Sequence, residues 1–157
     1  MKKFLKTLLL SALMMLPWVT NAQTHYNMQI GTGTSTSQYV PDYGYYNYTY
    51  SQMLYTAAEV GIDGEIDTLA FQVSSGSATR TVTIYMAEVS QTNLSSQVDA
   101  SELHQVFSGS VSWSAGWVTI PLDSVFEYQG TGSLVIACID ATGTYVSGYP
   151  YFSGTSM

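Results

Sequence analysis

The chain has 157 residues, of which only 10% are charged, and 11 acidic residues stand against four basic ones. Three of the basic residues, Lys2, Lys3 and Lys6, lie at the very start, so the rest of the chain has a net charge of −10, one arginine (Arg80) against eleven acids. Such a chain cannot neutralise a row of phosphates, which argues against nucleic-acid binding and against attraction to an anionic membrane surface. Its single cysteine excludes an internal disulfide.

Residues 1–22 have the pattern of a secretory signal peptide. The three lysines precede an apolar stretch from Leu8 to Val19, and Thr20-Asn21-Ala22 offers a small-residue cleavage site. Further along, the longest apolar run, Leu134 to Ile139, is far shorter than the roughly 20 residues that a membrane helix needs. The sequence therefore predicts a secreted protein, extracellular or on the outer cell surface, with no transmembrane segment in the mature chain.

Alternation of apolar and polar residues, the pattern of half-buried strands, recurs through the mature chain. Between Arg80 and Met86, the residues Val82, Ile84 and Met86 fall on one face of a predicted strand. Arg80 shares their parity, and we expect it just outside the edge of the core. A preceding strand through Leu69 and Val73 is predicted to form a hairpin with this one, through a Ser- and Gly-containing loop over residues 74–78.

Six further segments are predicted as strands, with turns at roughly 8–12-residue spacing. Ser133 to Ile139 is almost entirely apolar, as expected of a central strand buried on both faces. A short helical turn is predicted within Leu94 to His104. The six segments are Tyr26–Ile30, Gln52–Val60, Leu103–Phe107, Trp117–Leu122, Ser133–Ile139 and Tyr149–Phe152.

About eight strands in this arrangement predict an all-β fold, a jelly-roll-like antiparallel β-sandwich. We expect the sandwich to span residues 39–157. Residues 23–38 are predicted to be a flexible N-terminal segment, because Gly31 to Gln38 is low in complexity and has no evident means of packing. The loop-like sequence Ser153 to Ser156 fits a sandwich whose last strands are missing from this chain.

Seven of the 13 tyrosines fall between Tyr39 and Tyr55. A tyrosine ring has a flat apolar face and a polar tip, which suits both sugar rings and protein surfaces. One interpretation is that these rings cover the edge of the sandwich core, and the other is that they form a ligand surface. Residues 46, 48 and 50 are expected to share one strand face. The candidate ligand-binding residues are Tyr43, Tyr45, Tyr46, Tyr48 and Tyr50.

Three acidic residues in five positions, Asp63, Glu65 and Asp67, lie where a loop should meet a strand. Calcium prefers several oxygen ligands from a turn, so these residues are the candidate metal ligands, with Asp140 as a second position. The alternative is a solvated turn that flanks a strand. Apart from calcium, no cofactor is expected.

Catalysis by a nucleophile needs a base within hydrogen-bond reach. The mature chain has two histidines, His25 and His104, and its only thiol, Cys138, lies inside the predicted central strand. A buried thiol is inert, so we do not expect a Cys138–His104 dyad. The sequence contains no G-x-S-x-G motif and no zinc-ligand spacing. The protein is therefore predicted not to be an enzyme.

A series of short motifs runs from residue 50 to residue 135: Tyr50-Ser51-Gln52, Tyr55, Glu59-Val60-Gly61, Gly64-x-Ile66, Phe71, Thr79-Arg80, Phe107-x-Gly109, Trp117-Val118-x-Ile120-x-Leu122, Phe126-x-Tyr128-x-Gly130 and Leu134-Val135. Together they resemble a module of secreted and surface proteins of type IX secretion, nearest to the cleaved adhesin domains of the gingipain type. The resemblance covers residues 39–152 and implies a jelly-roll β-sandwich and an extracellular adhesin-like function. Unlike such proteins, the chain is not expected to carry a C-terminal sorting domain.

The same resemblance implies O-glycosylation at two positions. Asp67-Thr68-Leu69 and Asp123-Ser124-Val125 match the Asp-Ser/Thr-apolar pattern of exported proteins in this bacterial group. The implied acceptors are Thr68 and Ser124.

Three functional hypotheses follow. The first is an exported, non-catalytic, adhesin-like module that binds a host or bacterial surface protein or glycan, with the tyrosines as carbohydrate-binding candidates. The second is the N-terminal accessory domain of a larger secreted hydrolase or peptidase. The third is a structural surface subunit.

Overall fold

The computed structural model describes residues 25–155, so the predicted signal peptide over residues 1–22 lies outside the described residues. Within them, eight strands form two four-stranded sheets with antiparallel pairing, which confirms the predicted all-β sandwich. The first sheet has the order β1-β8-β3-β6, and the second has the order β2-β7-β4-β5. The strands are β1 (Ser35–Ser37), β2 (Thr49–Tyr55), β3 (Gly64–Ser75), β4 (Ala78–Val89), β5 (His104–Trp113), β6 (Gly116–Tyr128), β7 (Ser133–Asp140) and β8 (Tyr151–Gly154).

The core lies between the two sheets. The alternating residues Val82, Ile84 and Met86 of β4 are all buried, as their parity predicts, and they pack with Val73 and Ile120 of the first sheet. Strand β7 pairs with β2 on one side and with β4 on the other, and nearly all of its residues are buried. Its prediction as a central strand is confirmed.

The predicted hairpin between β3 and β4 is wrong. Strand β3 pairs with β6 and β8, whereas β4 pairs with β5 and β7, so the chain crosses from one sheet to the other between Ser75 and Ala78. Alternation of apolar residues indicates which face of a strand is buried, but not which strand lies beside it. A short glycine-containing loop is therefore compatible both with a hairpin within one sheet and with a crossing between the two sheets. Gly76, with φ of 77°, makes this turn, and Ser77 N donates to Gly148 O over 3.0 Å.

The predicted strand Gln52–Val60 ends early, at Tyr55, and a one-turn helix α1 (Ala57–Val60) follows. Thr56 and Glu59 form a reciprocal capping box at its start, and Gly61 adopts a left-handed conformation at its end. This Thr-x-x-Glu spacing is a helix-start signal that outweighed the apolar composition of the segment. The helical turn predicted within Leu94 to His104 is present as a 3-10 turn, Ala100–Glu102.

Other predicted boundaries also change. Strands β5 and β6 continue well beyond the predicted ends at Phe107 and Leu122, and Tyr26–Ile30 is not a strand. The expectation that residues 31–38 cannot pack was wrong for β1, because Ser35–Ser37 pairs in register with Phe152–Gly154 of β8. Within residues 25–155, the structure has no helix long and apolar enough to cross a membrane.

Candidate functional site

Arg80, expected at the core edge, is instead completely buried. Its side chain lies on the same face of β4 as Val82, Ile84 and Met86, as predicted. The hydrogen-bond acceptors around its guanidinium come from residues that are distant in the sequence. Nε donates to Oδ2 of Asp140 over 2.7 Å, and Nη2 donates to the same oxygen. Asp140 ends the neighbouring strand β7, and its other oxygen, Oδ1, accepts hydrogen bonds from the backbone N–H and the hydroxyl of Thr142.

A second buried carboxyl group, Asp42, joins this ion pair. Its Oδ2 lies 3.7 Å from Arg80 Nε and accepts a hydrogen bond from Trp113 Nε1 over 3.0 Å. Burial, followed by the nearby charge of Asp140, raises the pKa of Asp42 to about 7, against the opposing effects of Arg80 and Trp113. One guanidinium therefore faces two carboxyl groups, and protonation of Asp42 leaves the buried cluster neutral.

The Arg80 guanidinium also fastens two surface loops to the sandwich. Nη2 donates to the carbonyl of Tyr46 over 2.8 Å, and Nη1 donates to the carbonyl of Thr144 over 2.5 Å. These carbonyls belong to residues 38–48 and 141–150, which we name the tyrosine loops. The loops also bond to each other, from Val146 N to Gly44 O over 2.8 Å and from Gly143 N to Asn47 O over 2.9 Å.

Six tyrosine rings, from the tyrosine loops and β8, pack against one another and form what we name the tyrosine cluster. Tyr43 lies at its centre, 5.1–5.8 Å between ring centroids from Tyr39, Tyr45, Tyr46 and Tyr149. Most of these pairs are edge-to-face, a geometry that stabilises by about 0.5–1.5 kcal/mol beyond simple burial. The members are Tyr39, Tyr43, Tyr45, Tyr46, Tyr149 and Tyr151.

The five predicted ligand-binding tyrosines divide into two groups. Tyr43 is half-buried within the cluster, while Tyr45 and Tyr46 beside it remain 52% and 55% exposed. Tyr48 and Tyr50 instead line a separate groove of about 370 Å³ at the edge of the second sheet. Strand β2 begins only at Thr49, so the prediction that residues 46, 48 and 50 share one strand face was wrong.

The structure gives the three predicted metal ligands different neighbours. Asp63 borders Gly130, Glu65 lies opposite Glu127 in the register of β3 with β6, and Asp67 Oδ2 is 3.6 Å from His25 Nδ1. Over residues 25–155 no group of three or more His, Cys, Asp or Glu side chains could hold a metal ion. Asp140 is bonded to Arg80. Calcium binding stays a prediction, for which a melting curve with and without chelator is the test.

The two predicted O-glycosylation acceptors lie at the same irregular stretch of the β3–β6 pairing. Between Ile66 and Thr68 the register of β3 with β6 shifts, because Ile66 faces Phe126 whereas Thr68 faces Pro121. Ser124 lies in the resulting bulge of β6, and both Thr68 and Ser124 are exposed. Their modification stays a prediction.

The thiol and the imidazole that a dyad would need are kept apart. Cys138 faces Ile84 from β7, whereas His104 faces Met86 from β5, on the other side of β4. His104 is exposed, and Cys138 is buried. Burial and the charges of Asp42 and Asp140 raise the pKa of the Cys138 thiol, which keeps it in its unreactive form.

Two parts of the site were not recognised from the sequence. Tyr149 and Tyr151 come from the last described strand and the loop before it, far along the chain from Tyr43. The Tyr-Pro-Tyr run over residues 149–151 was a signal, since it repeats the tyrosine-rich composition of residues 39–50. Nothing in the sequence around Asp42 indicates that it would be buried against Arg80.

No family model matches the sequence, and no curated protein and no solved structure matches it. The functional interpretation therefore depends on the geometry of the tyrosine loops.

Proposed function

We propose that the protein is an exported, non-catalytic, adhesin-like module that binds a host or bacterial surface protein or glycan through its tyrosine loops. The observation that carries the proposal is that exposed tyrosines stand on loops held by a buried arginine. Tyr46 is more than half exposed, while its own carbonyl accepts a hydrogen bond from Arg80 beneath it.

Rigid aromatic side chains favour binding because little conformational entropy remains to be lost when a ligand orders them. The rings of Tyr45 and Tyr46 contact each other and both contact Tyr43, so their orientation is set before a ligand arrives. The loop backbones beneath them are bonded to Arg80 and to each other. About half of the Tyr45 and Tyr46 side chains remains in water, so these two rings stabilise the fold less than fully buried rings would. A role in binding explains why tyrosine occupies these exposed positions.

A binding role also agrees with the placement of the reactive groups. Cys138 is buried, and the intervening strand β4 separates it from His104. The Asp42 and Asp140 carboxyl groups are both buried and are committed to hydrogen bonds with Trp113 and Arg80. These groups support the stability of the loops rather than chemistry on a substrate.

The test is adhesion of the purified protein to a panel of immobilised glycans and to intact host and bacterial cells. A Tyr45→Ala/Tyr46→Ala variant should lose at least tenfold in apparent affinity. Tyr26→Ala is the matched control, because Tyr26 is 74% exposed but lies outside the tyrosine cluster. Equal adhesion of all three proteins, with equal melting temperatures, would contradict the proposal.

A further inference from the structure

The groove beside the tyrosine cluster has tyrosine rings available for a ligand. It lies at the edge of the second sheet, where β2 pairs with β7, and has a volume of about 370 Å³. Tyr48 is 69% exposed and Tyr50 is 44% exposed. Within residues 25–155 neither ring packs on another aromatic ring, in contrast to Tyr43. The groove is lined by Tyr48, Thr49, Tyr50, Ile139, Asp140 and Ala141.

One contact with the sheet and one with the loop after β7 help to position the two rings. The Tyr50 hydroxyl accepts a hydrogen bond from Gln52 Nε2 over 2.5 Å, and Gln52 is itself bonded to the backbone N–H and carbonyl of Val98. The Tyr48 hydroxyl lies over Gly143, where an added Cβ would be only 3.3 Å away. The groove is shallow and open, and contacts within the protein restrict the orientation of both of its rings.

The groove offers no exposed charge. Its one ionisable acid, Asp140, is buried and bonded to Arg80 and Thr142, and Arg80 itself is completely buried. An anionic ligand would find no cation to pair with there, and a cationic ligand would find no free carboxylate. Tyrosine faces with nearby hydroxyls instead match a sugar ring, which has an apolar C–H face and hydrogen-bonding hydroxyls at its rim.

The size of the groove favours a glycan over a protein. A stable protein interface takes roughly 20–30 residues on each side, whereas this groove is lined by six. Building on the proposed function, we propose that the Tyr48–Tyr50 groove holds a sugar ring of an uncharged glycan. The groove then holds one sugar ring, while Tyr45 and Tyr46 of the adjoining tyrosine cluster contact the rest of the glycan.

The test is titration calorimetry and saturation-transfer NMR with defined hexasaccharides. The uncharged probes are linear β-1,4-glucan, β-1,3-glucan and β-1,4-mannan, and the anionic probes are oligogalacturonate and a heparin fragment. At least one uncharged probe should bind, and neither anionic probe should. Tyr48→Ala and Tyr50→Ala should each weaken that binding tenfold or more, while Tyr48→Phe, which keeps the ring, should weaken it less than threefold. Tyr26→Ala should have no effect.

The outcomes separate this inference from the proposed function. Binding of an uncharged probe that survives Tyr48→Ala and Tyr50→Ala but is lost in Tyr45→Ala/Tyr46→Ala would overturn the groove assignment and leave the function standing. Binding of anionic probes alone would also overturn the groove assignment and leave the proposed function standing. Binding of a surface protein alone, through Tyr45 and Tyr46, would have the same two consequences. No binding to any probe or cell surface would overturn both. Because all the substituted rings are at least 44% exposed, the variants should fold, and equal melting temperatures check this.

Discussion

Arg80 and Asp140 form a buried ion pair in which Nε lies 2.7 Å from Oδ2, directly beneath the tyrosine loops. The pair stands on adjacent strands, β4 and β7, and the remaining donors of the guanidinium reach outward to Tyr46 and Thr144. The only arginine of the chain thus connects the core of the sandwich to its candidate binding surface.

Loss of the guanidinium should be severe. Arg80→Met leaves two buried carboxyl groups without a cation and two loop carbonyls without donors, and we expect the free energy of unfolding to fall by about 3–5 kcal/mol. Urea unfolding followed by tryptophan fluorescence measures this. Thr79→Ala is the neighbouring control, because its hydroxyl is exposed and bonds to the hydroxyl of Ser112, and it should change stability by less than about 0.5 kcal/mol. A loss below about 1 kcal/mol in Arg80→Met would contradict the anchoring role.

Asp42 should make the stability depend on pH. Its pKa is raised from 3.8 to about 7 in the folded protein, so the folded state holds this proton more tightly than the unfolded chain does. The resulting stabilisation is fully present below about pH 4 and is lost as the pH rises to about 7. It amounts to roughly 4 kcal/mol, from about 1.4 kcal/mol for each pH unit.

Asp42→Asn isolates this contribution from the other acids. An asparagine keeps an oxygen for the Trp113 indole but cannot titrate, so stability should fall less between pH 4 and 7 than in the wild type. Parallel denaturant titrations at each pH measure the difference. Identical pH slopes in the two proteins would show that Asp42 titrates normally.

Two glycines with positive φ allow the contact at the sheet crossing to be measured. At Gly76 (φ 77°) an added Cβ would lie 2.1 Å from the carbonyl oxygen of Tyr149, whereas at Gly116 (φ 108°) it would meet nothing within 4 Å. Both Gly→Ala substitutions strain the backbone, so their difference reports the clash. We expect Gly76→Ala to be less stable than Gly116→Ala by about 1–3 kcal/mol in urea unfolding. An equal loss of stability in the two variants would mean that the loop carrying Tyr149 moves away from the added Cβ at no cost in free energy.

The Cys138 thiol should be inert in the folded protein. Burial raises its pKa, and it lies inside β7, so a disulfide reagent can reach it only when the strand opens. At pH 8, reaction with an aromatic disulfide should be at least a hundredfold slower than in urea-unfolded protein. Complete reaction of the folded protein within seconds would contradict the burial.

Strand faces were easier to predict than strand partners. The alternation in β4 correctly assigned Val82, Ile84 and Met86 to the core, because one face of each strand must leave water. The same alternation does not indicate which strands pair, and the prediction of a β3–β4 hairpin was therefore wrong. The helix after Tyr55 was missed although its capping residues, Thr56 and Glu59, were visible in the sequence.

Composition and periodicity by themselves determined the all-β class, the buried central strand and the clustering of tyrosines, because these properties follow from neighbours along the chain. Only the tertiary structure decided that Arg80 is buried and that Tyr149 joins Tyr43, since the partners of both come from distant segments. A lone arginine is expected in water because burying a charge is costly. Here Asp140, 60 residues away, offsets that cost through a contact that exists only once strands β4 and β7 have paired.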